Sequence, residues 1–271
     1  MSARLRLTIL GCGSSGGVPR IGGLWGACDP NEPKNRRSRS ALLIRRIDDT
    51  GTTTILIDTP PDIRSQLLRT GIGTLDAVIY THAHADHMHG IDDLRVVTFN
   101  RRKRLPIWAD APTRQALLMR FNYAFEQPEG SPYAPILDLH AIEGDITITG
   151  AGGPIVLRPI PVRHGPITAL AFRVEDIAYM PDVSDIPEQA WAQLGQLKCW
   201  IVDALRRKPH PTHAHLGKAL EWIARAAPQS AVLTHMHNDL DYQTICAETP
   251  PHVTAAYDGM DLEFALKPHK D

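Results

Sequence analysis

The stretch Thr81-His82-Ala83-His84-Ala85-Asp86-His87 constrains this chain more than any other. It follows Leu75-Asp76-Ala77-Val78-Ile79-Tyr80, a short apolar run of strand formers, and Gly90 comes soon after. Three histidines and an aspartate at a strand end make a poor packing element, because each polar head needs a partner once buried. They make a good metal cradle, since imidazole and carboxylate are ligands that zinc, manganese and iron accept.

The rest of the composition is ordinary. The chain has 271 residues, 43% hydrophobic and 22% charged, with a formal net charge of -1. That balance makes no global case for nucleic acid or an anionic membrane as partner. Local basic runs at Arg36-Arg37, Arg101-Arg102-Lys103-Arg104 and Arg206-Arg207-Lys208 read first as solvated surface, with substrate phosphate as the minority reading. Cys12, Cys28, Cys199 and Cys246 form no CxxC pair, which argues for a reducing compartment. The opening residues alternate Leu5, Leu7 and Ile9 and read as a strand rather than a signal peptide, and no run approaches a membrane span. A cytoplasmic protein without membrane contact is expected.

Taken in order, Leu5–Leu10 is a predicted strand before the glycine-rich Gly11-Cys12-Gly13-Ser14-Ser15-Gly16-Gly17. Such a loop can cradle phosphate, but it lacks the P-loop ending and the dinucleotide spacing, so a tight turn is the plainer reading. Residues 18–39 are expected as an ordered loop. Ser40–Arg46 and Thr53–Asp58 form a predicted strand pair about the turn Asp48-Asp49-Thr50-Gly51. Ile63–Thr70 is a helix stopped by Gly71, and Ile91–Arg95 starts another. Leu105–Ala109 is a strand, and Ala111–Phe125 a helix with Leu117, Leu118, Phe121, Ala124 and Phe125 on one face. Strands follow at Ile146–Ile148, Ile155–Val162, Thr168–Val174, Asp176–Tyr179, Cys199–Val202, Gln229–Leu233 and Val253–Ala256, with helices at Pro187–Leu197 and Leu216–Ala226. No repeat and no linker divides the chain, so residues 1–271 are expected as one domain. The pattern suits two packed sheets with helices outside, an α/β (α+β) architecture.

Histidine or aspartate recurs just past several of these strands: His82, His84, Asp86 and His87, then His164, Asp182 and His235. One such histidine alone reads as structural. Their conjunction resembles the metallo-β-lactamase superfamily of dinuclear hydrolases, and the resemblance covers nearly the whole chain. It implies a four-layer αββα sandwich with the metal site at one edge between the sheets. It also implies two divalent ions, zinc or manganese. His82, His84 and His164 would hold one, Asp86, His87 and His235 the other, and Asp182 would bridge them. The stretches Gly11 to Pro19, Ile57-Asp58-Thr59-Pro60-Pro61-Asp62-Ile63-Arg64 and Ala256-Tyr257-Asp258-Gly259 are similar to the phosphoribosyl cyclic phosphodiesterases of the carbon–phosphorus lyase pathway. Those are relatives of the tRNA 3′-processing endonucleases. The likeness makes His213 the proton donor to the leaving oxygen, with His215 its rival two residues away. Asp86 and Asp182 join His213 as the implied catalytic set.

What the resemblance implies is hydrolysis of a small phosphodiester, cyclic ribosyl or nucleotide, by a hydroxide held between two metals. Asp58 and Asp258 are candidates to orient the ligands from behind, and each reads equally well as a turn residue at a strand end. Some relatives hold a structural zinc on paired cysteines of the early loop and a histidine three residues past the last ligand. Here Cys28 stands alone and that position is Asn238, so no structural zinc is expected. Phe99, Trp108, Phe121 or Tyr123 could stack on a base, core packing being the commoner role for an aromatic, and no substrate contact is assigned. A homodimer is compatible with all of this. The rival readings are a tRNA 3′ endonuclease, for which the chain shows no arm insertion or strong basic surface, a thioester or lactam hydrolase, and a non-catalytic nucleotide binder.

Overall fold

The computed structural model describes residues 3–266; residues 1, 2 and 267–271, which the single-domain expectation also covers, lie outside the described residues. The strands are β1 (Arg4–Gly11), β2 (Ala41–Asp48), β3 (Gly51–Ile57), β4 (Ala77–Ile79), β5 (Leu105–Ala109), β6 (Leu137–Ala141), β7 (Ile146–Gly150), β8 (Gly153–His164), β9 (Ile167–Val174), β10 (Ile177–Met180), β11 (Cys199–Asp203), β12 (Ser230–Thr234), β13 (Val253–Ala255) and β14 (Met260–Ala265). The helices are α1 (Ile63–Thr70), α2 (Ala85–Met88), α3 (Leu94–Arg101), α4 (Ala111–Phe121), α5 (Glu188–Trp191), α6 (Leu216–Ala226) and α7 (Tyr242–Glu248). The chain gathers into two compact units: Met1–Leu10, Ala41–Val156 and Asp261–Asp271 in the first, Gly11–Ser40 and Leu157–Met260 in the second.

The first unit is built on a sheet of order β14-β1-β2-β3-β4-β5-β6. β2 and β3 form the expected hairpin, antiparallel with Leu43 opposite Leu56. From β3 onward the pairing is parallel, with Ile57 beside Ile79 and Ile79 beside Trp108. Parallel neighbours end at the same edge of a sheet, so whatever follows β3 and β4 emerges side by side. The core joins sheet residues Leu43, Leu56, Val78 and Ile107 to Ile63 and Leu67 of α1, Leu94 and Val97 of α3, and Leu117 of α4. The helical spacing read in α4 is thus the spacing of its buried face, and α1 buries Ile63, Gln66 and Leu67 at the same spacing.

The second sheet has the order β13-β12-β11-β10-β9-β8-β7. β10, β11, β12 and β13 run parallel, with Met180 beside Val202 and Asp203 beside Thr234. β9 is antiparallel to both β10 and β8, so β8 ends at the same edge as β10. Phe172, Tyr179 and Trp200 are fully buried here. α6 buries Leu216, Ala219, Trp222 and Ile223, one stripe at helical spacing.

Several expected elements were redrawn. The helix expected to reach Phe125 ends at Phe121 and closes with a 3₁₀ turn, Asn122–Ala124. The helix expected over Pro187–Leu197 is only α5 plus a second 3₁₀ turn, Ala192–Leu194, stopped by Gly195 in extended backbone. β6, β14 and α7 were not expected. The first two are edge strands, β14 with no buried residue, and α7 buries Ile245 alone. β6 and β14 nonetheless alternate apolar and polar residues, Leu137-Asp138-Leu139 and Met260-Asp261-Leu262-Glu263-Phe264, a strand signal that sequence reasoning missed.

Candidate metal centre

In the first unit, Asp58 follows β3 and Thr81 follows β4, and the parallel register sets them together. Asp58 is fully buried with a positive φ of 65°. That backbone region is unusual for a side chain other than glycine, and asparagine and aspartate tolerate it best. The carboxylate accepts from Thr81 N (2.8 Å), Thr81 Oγ1 (2.8 Å) and His87 Nδ1 (2.7 Å). Burial pushes the Asp58 carboxyl up, and His87 and Thr81 oppose it. The His82 ring stands 4.5 Å from His84 and 4.3 Å from His87, centroid to centroid. His82 Nδ1 is 3.0 Å from Thr81 Oγ1, and Asp86 Oδ2 lies 3.7 Å from His87 Nε2.

Two further groups hold this loop in shape. Arg120 Nη1 donates to Ala83 O (2.8 Å), pinning the peptide between His82 and His84. Gly90 N donates to Thr59 O and Thr59 N to His87 O, each at 2.8 Å. A Cβ at Gly90 would meet Pro60 O at 2.1 Å, so only glycine permits that approach.

In the second unit, His164 ends β8, Asp182 follows β10, Asp203 ends β11 and His235 follows β12. The shared edge gathers them with His213. His164 Nε2 is 3.6 Å from Asp182 Oδ2, His213 Nε2 is 3.9 Å from the same oxygen, and His235 Nδ1 is 3.3 Å from Asp182 Oδ1. The His213 ring stacks on His235 at 4.8 Å and meets His164 edge-on at 4.6 Å. His164, Asp182 and His213 offer donor atoms that all lie within 4.8 Å of one another. His215 points elsewhere: its side chain caps α6, with Nδ1 accepting from Lys218 N (3.3 Å).

The imidazoles share one feature across both units. Nδ1 sits close to an oxygen in five of them: His82 to Thr81 Oγ1 (3.0 Å), His87 to Asp58 (2.7 Å), His164 to Thr212 O (2.6 Å), His213 to Asp203 Oδ2 (2.9 Å) and His235 to Ser40 Oγ (3.0 Å). A ligating imidazole is held in this way, its rear nitrogen fixed and its other nitrogen turned to the ion. Rings stacked this closely cannot all be protonated without strong repulsion, whereas neutral imidazoles beside carboxylates suit a divalent cation. The residues therefore fit a resident metal by donor chemistry and by orientation.

Sequence reasoning missed three of these partners. Asp203 was visible only as a strand-end residue; it is buried, and burial pushes its carboxyl up, with His213 opposing that and Asp182 adding to it. Ser40 and Thr81 left no signal beyond their neighbourhood. Asp258 accepts from Cys12 N (3.1 Å) and Ser38 N (2.9 Å), tying the glycine-rich loop to the segment before β2. In the early loop, the buried Arg37 guanidinium stands 3.8 Å from Cys28 Sγ and donates to His237 O (3.1 Å) and Leu240 O (2.6 Å). Of the aromatics weighed for base stacking, Trp108 stacks on His140 (4.7 Å), Phe121 meets His89 (5.6 Å), Tyr123 Oη donates to Asp92 (3.1 Å) and Phe99 is exposed on α3.

Residues 53–236 match the family described as the beta-lactamase superfamily domain. A curated protein from Porphyromonas gingivalis (strain ATCC BAA-308 / W83), named octanoyltransferase, is 33% identical over 261 residues, covering 95% of this chain and 51% of that protein. The chain thus spans about half the length of the curated relative it matches. Among solved structures, a diphosphatase from the PhnP family is 34% identical with a TM-score of 0.85, over 97% of this chain and 98% of that one. Human tRNase Z, short form, shares the fold at 15% identity and a TM-score of 0.66, over 95% and 98% of the two chains. No helix among the described residues is long and apolar enough to cross a membrane.

Proposed function

The chain belongs to the metallo-β-lactamase superfamily of metal-dependent hydrolases, in the branch that holds the PhnP-family diphosphatase and tRNase Z, and from that premise we propose that it is a dinuclear phosphodiesterase acting on a small phosphodiester. Its α/β sandwich fold class is that of the superfamily. On this reading, His82, His84 and His164 hold one divalent cation and Asp86, His87 and His235 the other, with Asp182 shared. Zinc or manganese suits the donors. When bound, such a pair supplies Lewis acidity to the phosphoryl oxygens and lowers the pKa of water from its bulk value toward about 7.

The observation that carries the phosphodiester reading is His213, set on Asp203 and facing Asp182. In hydrolysis the water oxygen bonds to phosphorus as the bond to the ester oxygen breaks. The departing alkoxide needs a proton. His213 Nε2 gives it, and Asp203 holds Nδ1–H and stabilises the imidazolium before the transfer. Asp58 and Ser40 keep His87 and His235 in their ligating orientation through Nδ1. A cyclic ribosyl or nucleotide phosphodiester is the proposed substrate class, and the likeness to a diphosphatase at 34% identity supports a small phosphate ester.

The test is a screen of cyclic and linear phosphodiesters with protein reconstituted in zinc or manganese. Turnover that needs the metal and falls with His213→Ala on alkyl leaving groups is expected. Hydrolysis of thioesters or lactams with none of phosphodiesters would sink the proposal, as would fewer than two bound cations per chain for its dinuclear form.

A further inference from the structure

One backbone segment of the second unit brings together basic groups that the chemistry above does not use. Leu205 N donates to Ala214 O (2.9 Å), Leu216 N to Arg206 O (2.9 Å), and His237 N to Leu205 O (2.8 Å). Leu205 and Arg206 therefore run between the His213 loop on one side and His237 on the other. The Arg206 guanidinium is held in posture by two carbonyls, Nε donating to Lys208 O (3.1 Å) and Nη2 to Pro209 O (2.7 Å). Arg20 reaches the same place from the early loop. It lies across Gly16, where a Cβ would meet its Nε at 3.3 Å, and its Nη2 is hydrogen-bonded to His237 Nε2.

His210 completes the group. Its ring centroid is 5.3 Å from that of His213. Its Nδ1 accepts from Thr212 N (3.3 Å) and lies 3.2 Å from Thr212 Oγ1, which leaves Nε2–H as a donor. Burial, His213, Arg206 and His237 all hold the His210 imidazole below its usual range, which places these groups within electrostatic reach of one another.

The carboxylates nearby are engaged elsewhere. Asp203 serves His213, and Asp239 stands 3.3 Å from His237 Nδ1 while its other oxygen accepts from Arg207 N (3.1 Å). Among the described residues neither Arg20 nor Arg206 has a carboxylate within ion-pair distance. Arg20 is hydrogen-bonded to the His237 imidazole and Arg206 lies within its electrostatic reach; cations gathered about one ring with no carboxylate of their own favour an anion. Phosphate matches the planar donor fork of arginine.

We propose that Arg20, Arg206 and His210 form an anion subsite beside His213 that takes a second phosphate, carried on the leaving portion of the substrate. The proposal rests on the phosphodiesterase reading for what is cleaved, and it adds which side of the scissile bond must be charged. It makes the preferred substrate one whose leaving-oxygen side itself carries a phosphate, whether through an anhydride link or through a phosphomonoester further along; in a cyclic diester that side stays attached after the ring opens.

The test compares metal-reconstituted wild type with Arg20→Gln, Arg206→Gln and Arg20→Lys on two substrates. P1,P2-diadenosine diphosphate releases a fragment bearing phosphate, and adenylyl-(3′→5′)-adenosine releases a neutral nucleoside. The glutamine variants should lose kcat/KM on the first by about tenfold more than on the second, as expected for hydrogen bonds to charged groups, with the change in KM. Arg20→Lys should recover part of the loss. A third substrate carrying the phosphate as a remote monoester distinguishes the two sources. Equal losses on all substrates overturn the subsite. If wild type cleaves no phosphodiester, the phosphodiesterase reading fails by itself, and the subsite is read by titrating inorganic pyrophosphate calorimetrically. Affinity about tenfold weaker in Arg20→Gln then supports it, and unchanged affinity overturns it. Arg20 is exposed and Arg206 half-buried, so neither change opens a core cavity.

Discussion

Asp203 Oδ2 lies 2.9 Å from His213 Nδ1, so a fully buried carboxylate sets the direction of the one imidazole that stacks on His235 and meets His164 edge-on. Replacing Asp203 by Asn keeps the shape and removes the charge that stabilises the imidazolium. Turnover of a phosphodiester with an alkyl leaving group should fall by about 10²–10⁴-fold, with metal content retained. An aryl ester, whose leaving oxygen needs no proton, should lose far less. Identical losses on the two esters would show that Asp203 does not act through proton donation.

His213 and His215 are separable by experiment. His215→Ala removes the side-chain acceptor at the start of α6 and should cost about 1 kcal/mol of stability while turnover survives. His213→Ala should do the reverse, sparing the melting temperature and abolishing cleavage of poor leaving groups. Thermal unfolding and steady-state rates on the same preparations check both.

Asp58 holds His87 and Thr81 at once. Asp58→Ala should weaken metal binding by about 10–100-fold, the usual effect of losing the partner behind a ligating histidine. Competition against a chromophoric chelator measures this. Wild-type affinity in that variant would mean that Asp58 acts only as a turn residue.

Asp241 caps α7 through Thr244 N (2.9 Å) and binds Asn35 Nδ2 (2.6 Å). Burial alone would raise its carboxyl, but those hydrogen bonds and the one from Asp29 N outweigh it and hold the group at about 2. A folded value below the unfolded one, about 3.9, means that the charged form favours the fold. Its contribution is therefore complete above about pH 4 and disappears as pH falls toward 2. Asp241→Asn should flatten the loss of stability across that window in chemical denaturation. An unchanged acid limb would refute the assignment.

The clustered ligands of the first unit were legible because they are contiguous: His82, His84, Asp86 and His87 declare their chemistry within six positions. α1, α6 and β5 were legible for a different reason, since each buries one periodic face. α7 was not, because it buries Ile245 alone and needs little apolar patterning, whereas β14 alternates Met260, Leu262 and Phe264 with polar residues and could have been read as a strand. Ser40 was invisible as a partner of His235, being 195 positions away and unremarkable in its surroundings.

Residue chemistry and periodicity are local, so the chain alone settles which side chains can bind a cation and which segments become strands. Pairing is not local. The parallel register of β3 with β4 sets Asp58 against Thr81 and His87, and that of β10, β11 and β12 brings Asp182, Asp203 and His235 to one edge. Only the folded chain separates His213, set on Asp203, from His215, which caps α6, and only backbone hydrogen bonds made far along the chain bring Arg206 beside His237. Hydrogen-bond and Coulomb energies depend on distance in space, which the order of residues does not contain.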